Sequence, residues 1–366
     1  MYVLLVHEGG YLPGVVGGSE RTIESLCLAL RERGHEVAVL LLSRHRPGHW
    51  RDCIAGLLRP LSMQTDRSRG YAVHRARNTA VLRAQRRAIE NLAPDVAALV
   101  ITKGRLMRLA EPLSRRGMTV LAYLHSHPLP AVLPKTIRYL APSQWLLQRC
   151  REAGLPSVTV LHPIVEPERY SVTGPGAVAT MVGATWAKGL DTLLEVAELC
   201  PDIRFVVYQT WAPPEVPLAK RLAGLANVEL RQALPDFRVA LAETRLLLLP
   251  SRMETWGRAV TEAQVSGIPA LARAVGGLPE SVGEGGLLLP PDAPAADWAA
   301  ALRDLWDHAS RYARLSERSR AMAARPELRK DTLVDAFLAA VEQARNLPAV
   351  PASGSEERCS AEPASH

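Results

Sequence analysis

Short apolar runs alternate with stretches of helical periodicity along most of this chain, in two separate series. The first opens on an apolar run at 3–6. Residues 20–33 then carry Ile23, Leu26, Cys27 and Leu30 at near-helical spacing up to Gly34, and 36–42 is apolar again. Strand, helix and strand in that order form a right-handed crossover between parallel strands. Further strands are predicted at 96–101, 120–124, 139–141 and 158–161, with helices over 80–92 and 145–153. The second series begins near residue 177, with strands at 178–182, 204–208, 228–231 and 246–249 and helices over 189–199, 218–225 and 237–242. Alternation of this kind builds open sheets that bind ligands at the carboxyl ends of their strands. A chain of 366 residues is too long for one ordinary core. The expected fold is therefore α/β, two Rossmann-like domains facing across a cleft. The first spans residues 1–165 and the second 166–345, and residues 165–175, with Pro167, Gly174 and Pro175, read as the linker. Residues 346–366 are rich in Pro, Ser, Ala and Glu and read as a disordered tail.

Charge divides unevenly between the halves. Residues 1–170 hold 24 Lys and Arg against 13 Asp and Glu, and the remainder 20 against 24. A basic first half points to an anionic partner. There is no recognition-helix motif, no basic tail, and aromatic content is only 5%, so nucleic acid is set aside for an anionic acceptor or a membrane surface. No apolar run approaches the roughly 18 residues of a membrane span. Tyr2 to Val6 begins a strand directly, without the basic region or cleavage site of a secretory signal. Cys27, Cys53, Cys150, Cys200 and Cys359 show no Cys-x-x-Cys spacing, which suggests neither a disulfide framework nor a zinc site. The expected location is the cytoplasm, with a peripheral contact at the inner membrane face left open.

The richest motif is Pro250-Ser251-Arg252-Met253-Glu254-Thr255-Trp256-Gly257-Arg258-Ala259-Val260-Thr261-Glu262-Ala263, directly after the apolar run at 246–249. Glu254 falls on the loop at a strand's carboxyl end, and Glu262 about two helical turns further on. Two carboxylates there suit hydrogen bonds from sugar hydroxyls. A first-turn acid favoured by the helix dipole, followed by a solvated acid, gives the same pattern, and spacing alone does not choose.

With Gly267-Ile268-Pro269 and Gly276-Gly277-Leu278-Pro279-Glu280 behind it, the motif resembles the signature of glycosyltransferase family 4, and the resemblance extends over residues 1 to about 345. It implies the GT-B fold and a retaining enzyme that moves a sugar from a nucleotide-diphospho-sugar to a hydroxyl acceptor, with no metal or other cofactor. By motif position it implies that Glu254 contacts the donor sugar and diphosphate region and that Glu262 binds the ribose hydroxyls. It also implies that the late helices, 296–307 and 333–344, pack back across the first domain.

Other candidate residues combine the resemblance with local chemistry. Gly17-Gly18-Ser19-Glu20 lies between the first strand and helix, where glycines allow close backbone approach and a helix N-terminus favours anions. An ordinary turn capped by Ser19 explains the pair as well, and the resemblance adds a place for Gly17 and Gly18 at the donor phosphates. Lys188-Gly189 opens a helix after the strand at 178–182, and Lys188 is matched to the family lysine that stabilises the departing diphosphate. The family's arginine is absent, with Ala184 in its place, and the loop at 184–187 is short. Arg258 and Thr185 are the candidates to make good that loss. His125, at the end of the strand at 120–124, matches the family histidine near the reacting sugar, and His127 is a weaker candidate. Two histidines with no third ligand do not suggest a metal.

Pro142-Ser143, Leu161-His162-Pro163 and Glu166 are structural landmarks of the family, and the glycines at 276–277 read as loop geometry. In the basic segment 78–87, Val81, Leu82, Ala84 and Ala88 are expected to face a core and Arg83, Arg86 and Arg87 to face water, or an anionic lipid surface. The catalytic set is then His125, Lys188 and Glu254, and the donor set Gly17, Gly18, Thr185, Lys188, Glu254, Arg258 and Glu262. A nucleotide-sugar epimerase and a protein that binds a nucleotide-sugar without turnover are the alternatives. The donor's base and sugar, and the acceptor, which is an anionic or lipid-linked compound on the charge argument, are not legible.

Overall fold

The computed structural model describes residues 1–14, 17–42, 61–79, 81–210 and 212–347. The expected tail from residue 348 onward, Ala80 at the start of one expected helix, Cys53 and Cys359 lie outside the described residues. The first sheet has eight strands: β1 (Tyr2–Glu8), β2 (Glu36–Leu42), β3 (Ser62–Asp66), β4 (Ala72–Arg77), β5 (Val96–Ile101), β6 (Thr119–Leu124), β7 (Arg138–Ala141) and β8 (Val158–Val160). Their order is β3-β4-β2-β1-β5-β6-β7-β8, parallel except for the β3–β4 pair. The second sheet has six parallel strands in the order β11-β10-β9-β12-β13-β14. They are β9 (Val178–Val182), β10 (Phe205–Gln209), β11 (Val228–Gln232), β12 (Thr244–Leu249), β13 (Ala270–Arg273) and β14 (Gly286–Leu289).

Central strands read as unbroken apolar runs because helices cover both faces of each sheet. Val96–Ile101 is buried at every position. Strand order reverses between β1 and β5 in one sheet and between β9 and β12 in the other, so each has a crevice at its strand ends.

The helices are α1 (Gly18–Glu32), α2 (Leu82–Glu90), α3 (Met107–Ser114), α4 (Gln144–Glu152), α5 (Leu190–Leu199), α6 (Val216–Ala223), α7 (Arg238–Glu243), α8 (Arg258–Gln264), α9 (Leu278–Val282), α10 (Ala295–Asp307), α11 (Ala309–Ala323) and α12 (Lys330–Arg345). Ile23, Leu26 and Leu30 of α1 pack into one face of the first sheet together with Leu333, Val334 and Phe337 of α12. Helix α12 thus crosses back to complete the first domain's core.

Two expectations need correction. Only the second of the two late helices crosses: α10 buries Trp298, Leu302 and Leu305 in the second domain's core. It follows β14 after a short connection and folds back on its own sheet. The segment read as the linker runs between the two cores, with Ile164 in the first and Val165 and Tyr170 in the second, around a turn at Pro167–Arg169. On α2 the buried residues are Gln85, Ala88 and Ile89, while Leu82 is 40% exposed. Arg83 and Arg87 face solvent, and Arg86 meets Glu90 at 3.4 Å. Among the described residues no helix is long and apolar enough to cross a membrane.

Candidate functional site

The carboxyl ends of the two sheets face each other. Where they meet lies a cavity of about 310 Å3, walled on one side by His7, Thr102, Lys103 and His125 at first-sheet strand ends. Gly17 to Glu20 of the first loop and helix, and Lys188 and Glu254 of the second domain, close it. Two smaller spaces adjoin it. One of about 140 Å3 shares Gly17, Gly18, Lys188, Glu254 and Arg258. The other, of about 90 Å3, is lined by Tyr208, Leu234 and Phe237, by Arg21 from the first domain, and by Glu262. Gly17, Gly18 and Arg258 border all three.

Lys188 and Glu254 are paired: Lys188 Nζ donates to Glu254 Oε1 at 2.5 Å, and Ser251 Oγ donates to the same oxygen at 3.0 Å. Three local devices place them. Gly183 has φ of 98°, and a Cβ there would stand 2.8 Å from Lys188 Cγ, so only glycine lets the lysine stem lie across it. A tight turn at Trp186–Lys188 makes the loop as short as the sequence suggested. It is braced by Arg252, which donates to Asp191 at 2.9 and 2.7 Å and stacks 3.9 Å from the Trp186 ring centroid. Gly276 and Gly277 hold the Glu254 loop from the other side. Gly277 N–H donates to the Glu254 carbonyl at 2.9 Å, and a Cβ on Gly276 would stand 2.0 Å from that carbonyl oxygen.

On the first-domain wall, His7 Nε2 lies 3.2 Å from Glu20 Oε1, both side chains buried, and Ser19 Oγ donates to Glu20 Oε2 at 3.0 Å. Burial works against the Glu20 charge, but His7, the helix backbone and Ser19 outweigh it and hold the carboxyl below its ordinary range. His125 sits on the Tyr123 ring with centroids 4.2 Å apart. Burial, helped by His7, pushes its pKa down to about 3, so it is a neutral imidazole. His127 packs edge-on against Trp145 at 4.9 Å and lines none of the three spaces.

The structure brings Gly17, Gly18, His125, Lys188, Glu254 and Arg258 to one cavity and Glu262 to its neighbour. The two candidates for a second cation or donor are placed differently. Arg258 borders all three spaces, and its guanidinium donates to Glu262 Oε1 at 2.7 Å, Ser25 Oγ at 3.1 Å and the Tyr170 hydroxyl at 3.2 Å. Thr185 lies outside the three walls; its carbonyl accepts the N–H groups of Lys188 and Leu190 and closes the turn. Ala184 is buried in the second core, where a charged side chain has no place.

Sequence reading passed over Lys103, which lines the same cavity as Lys188, and the His7–Glu20 pair. It also passed over Arg21, which crosses the seam to donate to the Leu234 and Pro235 carbonyls at 3.0 and 3.2 Å. The position of Thr102-Lys103 after a buried strand was the available signal for the lysine. Glu280, the last residue of the quoted signature, also crosses the seam and accepts the Gln144 N–H at 2.7 Å, capping α4 beside Ser143. Among the described residues no group of three His, Cys, Asp or Glu is placed to hold a metal.

Comparison with known proteins agrees with this geometry. Residues 176–308 match the family described as "Glycosyl transferases group 1", and residues 16–169 match "Glycosyltransferase Family 4". The D-inositol 3-phosphate glycosyltransferase of Corynebacterium glutamicum is 43% identical over 174 residues, covering 46% of this chain and 40% of that protein. That of Streptomyces avermitilis is 31% identical over 202 residues, covering 46% and 43%. The chain spans under half the length of these relatives. Among solved structures, Anabaena HepE in complex with UDP-glucose superposes with a TM-score of 0.74 at 16% identity, over 94% of this chain and 100% of that one. Sucrose-phosphate synthase from Thermosynechococcus elongatus gives 0.73 at 16%, over 93% and 98%. At such identity the likeness concerns the fold, and it is the GT-B arrangement. With consecutive family matches on its two domains and a common cleft between them, the chain belongs to glycosyltransferase family 4.

Proposed function

We propose that the protein is a retaining hexosyltransferase that moves a sugar from a nucleotide-diphospho-sugar to a hydroxyl acceptor. The observation that carries this reading is the Lys188–Glu254 pair facing the Gly17-Gly18 backbone, with Glu262 in the adjoining space. The diphosphate lies between Lys188 and the N-terminal end of α1, where a cation and backbone N–H groups stabilise the charge that develops as it departs. The nucleoside fills the space lined by Tyr208 and Phe237, with its ribose hydroxyls donating to Glu262. The sugar reaches Glu254 and neutral His125, which hydrogen-bonds a hydroxyl without competing charge.

No protein nucleophile is invoked. The departing diphosphate takes the acceptor proton on the face it leaves, so catalysis is positioning and charge stabilisation. No metal or other cofactor takes part on this reading, and turnover persists in excess EDTA.

The acceptor enters from the first domain, past His7, Glu20 and Lys103. Lys103 on that wall, the basic first half and relatives named for D-inositol 3-phosphate all favour an anionic acceptor. The reaction is assigned to the cytoplasm, and Arg83 and Arg87 on α2 offer a peripheral contact to anionic lipid, checked by vesicle co-sedimentation.

The test is a thermal-shift panel of UDP-, GDP- and ADP-sugars, repeated with Glu262→Ala. A donor at about 100 times its Kd adds roughly 2.7 kcal/mol of stability. A shift for one nucleotide class that disappears in the variant supports the reading. Product analysis by NMR then separates a new glycoside of retained configuration from an epimerised donor and from binding without turnover. No shift with any donor sinks the assignment.

A further inference from the structure

The nucleotide carboxylate and the seam between the domains meet at one buried side chain. Arg258 opens α8 and is 7% exposed. Its Nε donates to Glu262 Oε1 at 2.7 Å, its Nη2 to Ser25 Oγ at 3.1 Å and to the Tyr170 hydroxyl at 3.2 Å, and its Nη1 reaches Thr22 Oγ1 at 3.4 Å. These acceptors come from three segments: its own helix, α1 of the first domain, and the crossover between the domains. Ser25 and Tyr170 line none of the three spaces of the cleft. Ser25 donates its own proton to the Arg21 carbonyl at 2.9 Å, so its oxygen is oriented to accept from the guanidinium. One turn earlier on α1, Arg21 holds the carbonyl of Leu234, on the wall of the nucleoside space, and that of Pro235 next to it.

We propose that Arg258 is a positioning residue that orients Glu262 only while α1 is docked, so that nucleotide affinity and domain closure are coupled through one guanidinium. The inference rests on the reading of Glu262 as the ribose contact. A guanidinium is a rigid planar fork, and turning it towards one partner moves its bonds to the others. Buried acceptors left unpaired are costly, so the arrangement is made or broken as a unit. When α1 leaves, Arg258 loses Ser25 and Thr22 and gains water, and its hold on Glu262 is no longer fixed in direction. Apparent affinity then scales with the fraction of closed molecules, and nucleotide favours closure by the same factor.

The experiment titrates UDP, GDP and ADP calorimetrically and takes the tightest through the variants Ser25→Ala, Tyr170→Phe, Arg258→Lys and Glu262→Gln. Small-angle scattering is recorded with and without that nucleotide. Ser25→Ala is expected to weaken binding by roughly 10- to 150-fold, the effect of one hydrogen bond to a charged group. It enlarges the radius of gyration without nucleotide and returns to the wild-type value at saturation, a recovery that a merely structural defect would not show. Arg258→Lys keeps the charge without the fork and is expected to fall alongside it. If Ser25→Ala and Tyr170→Phe bind nucleotide as the wild type does while Glu262→Gln weakens it, the coupling is wrong and the site stands. If Glu262→Gln leaves affinity unchanged, the ribose reading fails and the coupling fails with it.

Discussion

Replacing Gly276 with alanine tests how tightly the Glu254 loop is held. Gly276 has φ of 57°, and the added Cβ would stand 2.0 Å from the Glu254 carbonyl oxygen. Ordinary contact begins at 3.4 Å, so the two loops must part by roughly 1.4 Å. Three contributions follow. The left-handed backbone costs an alanine about 1–2 kcal/mol. The neighbouring bond from Gly277 N–H to the Glu254 carbonyl, now 2.9 Å, is lost for about 1 kcal/mol. Forced repacking adds about 1–3 kcal/mol. The expected destabilisation is therefore about 3–6 kcal/mol, measured by urea unfolding.

Gly174→Ala is the control, because that glycine has φ of 77° with nothing within 4 Å of the added carbon, leaving only the backbone strain. Displacement of a reacting group by about 1 Å lowers rates on the order of 100-fold, so turnover, followed as nucleoside diphosphate release, should drop by that factor. Nucleotide affinity should fall far less, since Glu262 is fixed from α8 by Arg258. A Gly276→Ala protein no less stable than Gly174→Ala, with turnover within a few-fold of wild type, would refute the reasoning.

Other consequences can be measured separately. Phe337→Ala, at a fully buried site on α12, should cost about 3–5 kcal/mol in urea unfolding; a loss under about 1 kcal/mol contradicts its place in the first core. His125 is neutral in the fold down to a pKa of about 3, against 6.5 for an ordinary histidine. Between those values the unfolded chain binds a proton that the folded one does not, so this term removes stability as pH falls from 6.5 and levels off below about 3. Going to pH 5 takes away at most about 2 kcal/mol, and equal pH slopes for wild type and His125→Phe would exclude the effect. Lys188→Met should lower turnover by about 100- to 1000-fold. Its side chain is 37% exposed, so stability should shift by under about 1 kcal/mol, and wild-type turnover would remove Lys188 from the mechanism.

What was legible in the sequence follows from burial. Central strands such as β5 are enclosed on both faces, so composition alone marks them. Strand β3, Ser-Met-Gln-Thr-Asp, is a mostly polar edge strand, and β4 interrupts its apolar positions with His74 and Arg75, so neither stood out. The short strands β13 and β14 lie among glycines and turns and were also missed. Late helices were harder: α10 and α12 both carry an apolar face, and which sheet each covers depends on connections that periodicity does not report. At the site, spacing placed Glu254 and Lys188 just after strands and Glu262 in the helix that follows. Ser25 and Tyr170, which bond the Arg258 beside Glu262, are ordinary residues far off in sequence, and only the fold brings them close.

The return of α12 to the first domain also bears on synthesis. The apolar seat that receives Phe337 belongs to a core whose other members begin at Val3. While the ribosome makes the intervening second domain, that seat stays uncovered. At about 5–20 residues per second, the stretch from the crossover near residue 165 to Phe337 takes roughly 10–30 s. Throughout that interval the nascent first domain presents an unfilled apolar groove, a ready binding surface for a chaperone. Its core is complete only once α12 has been made.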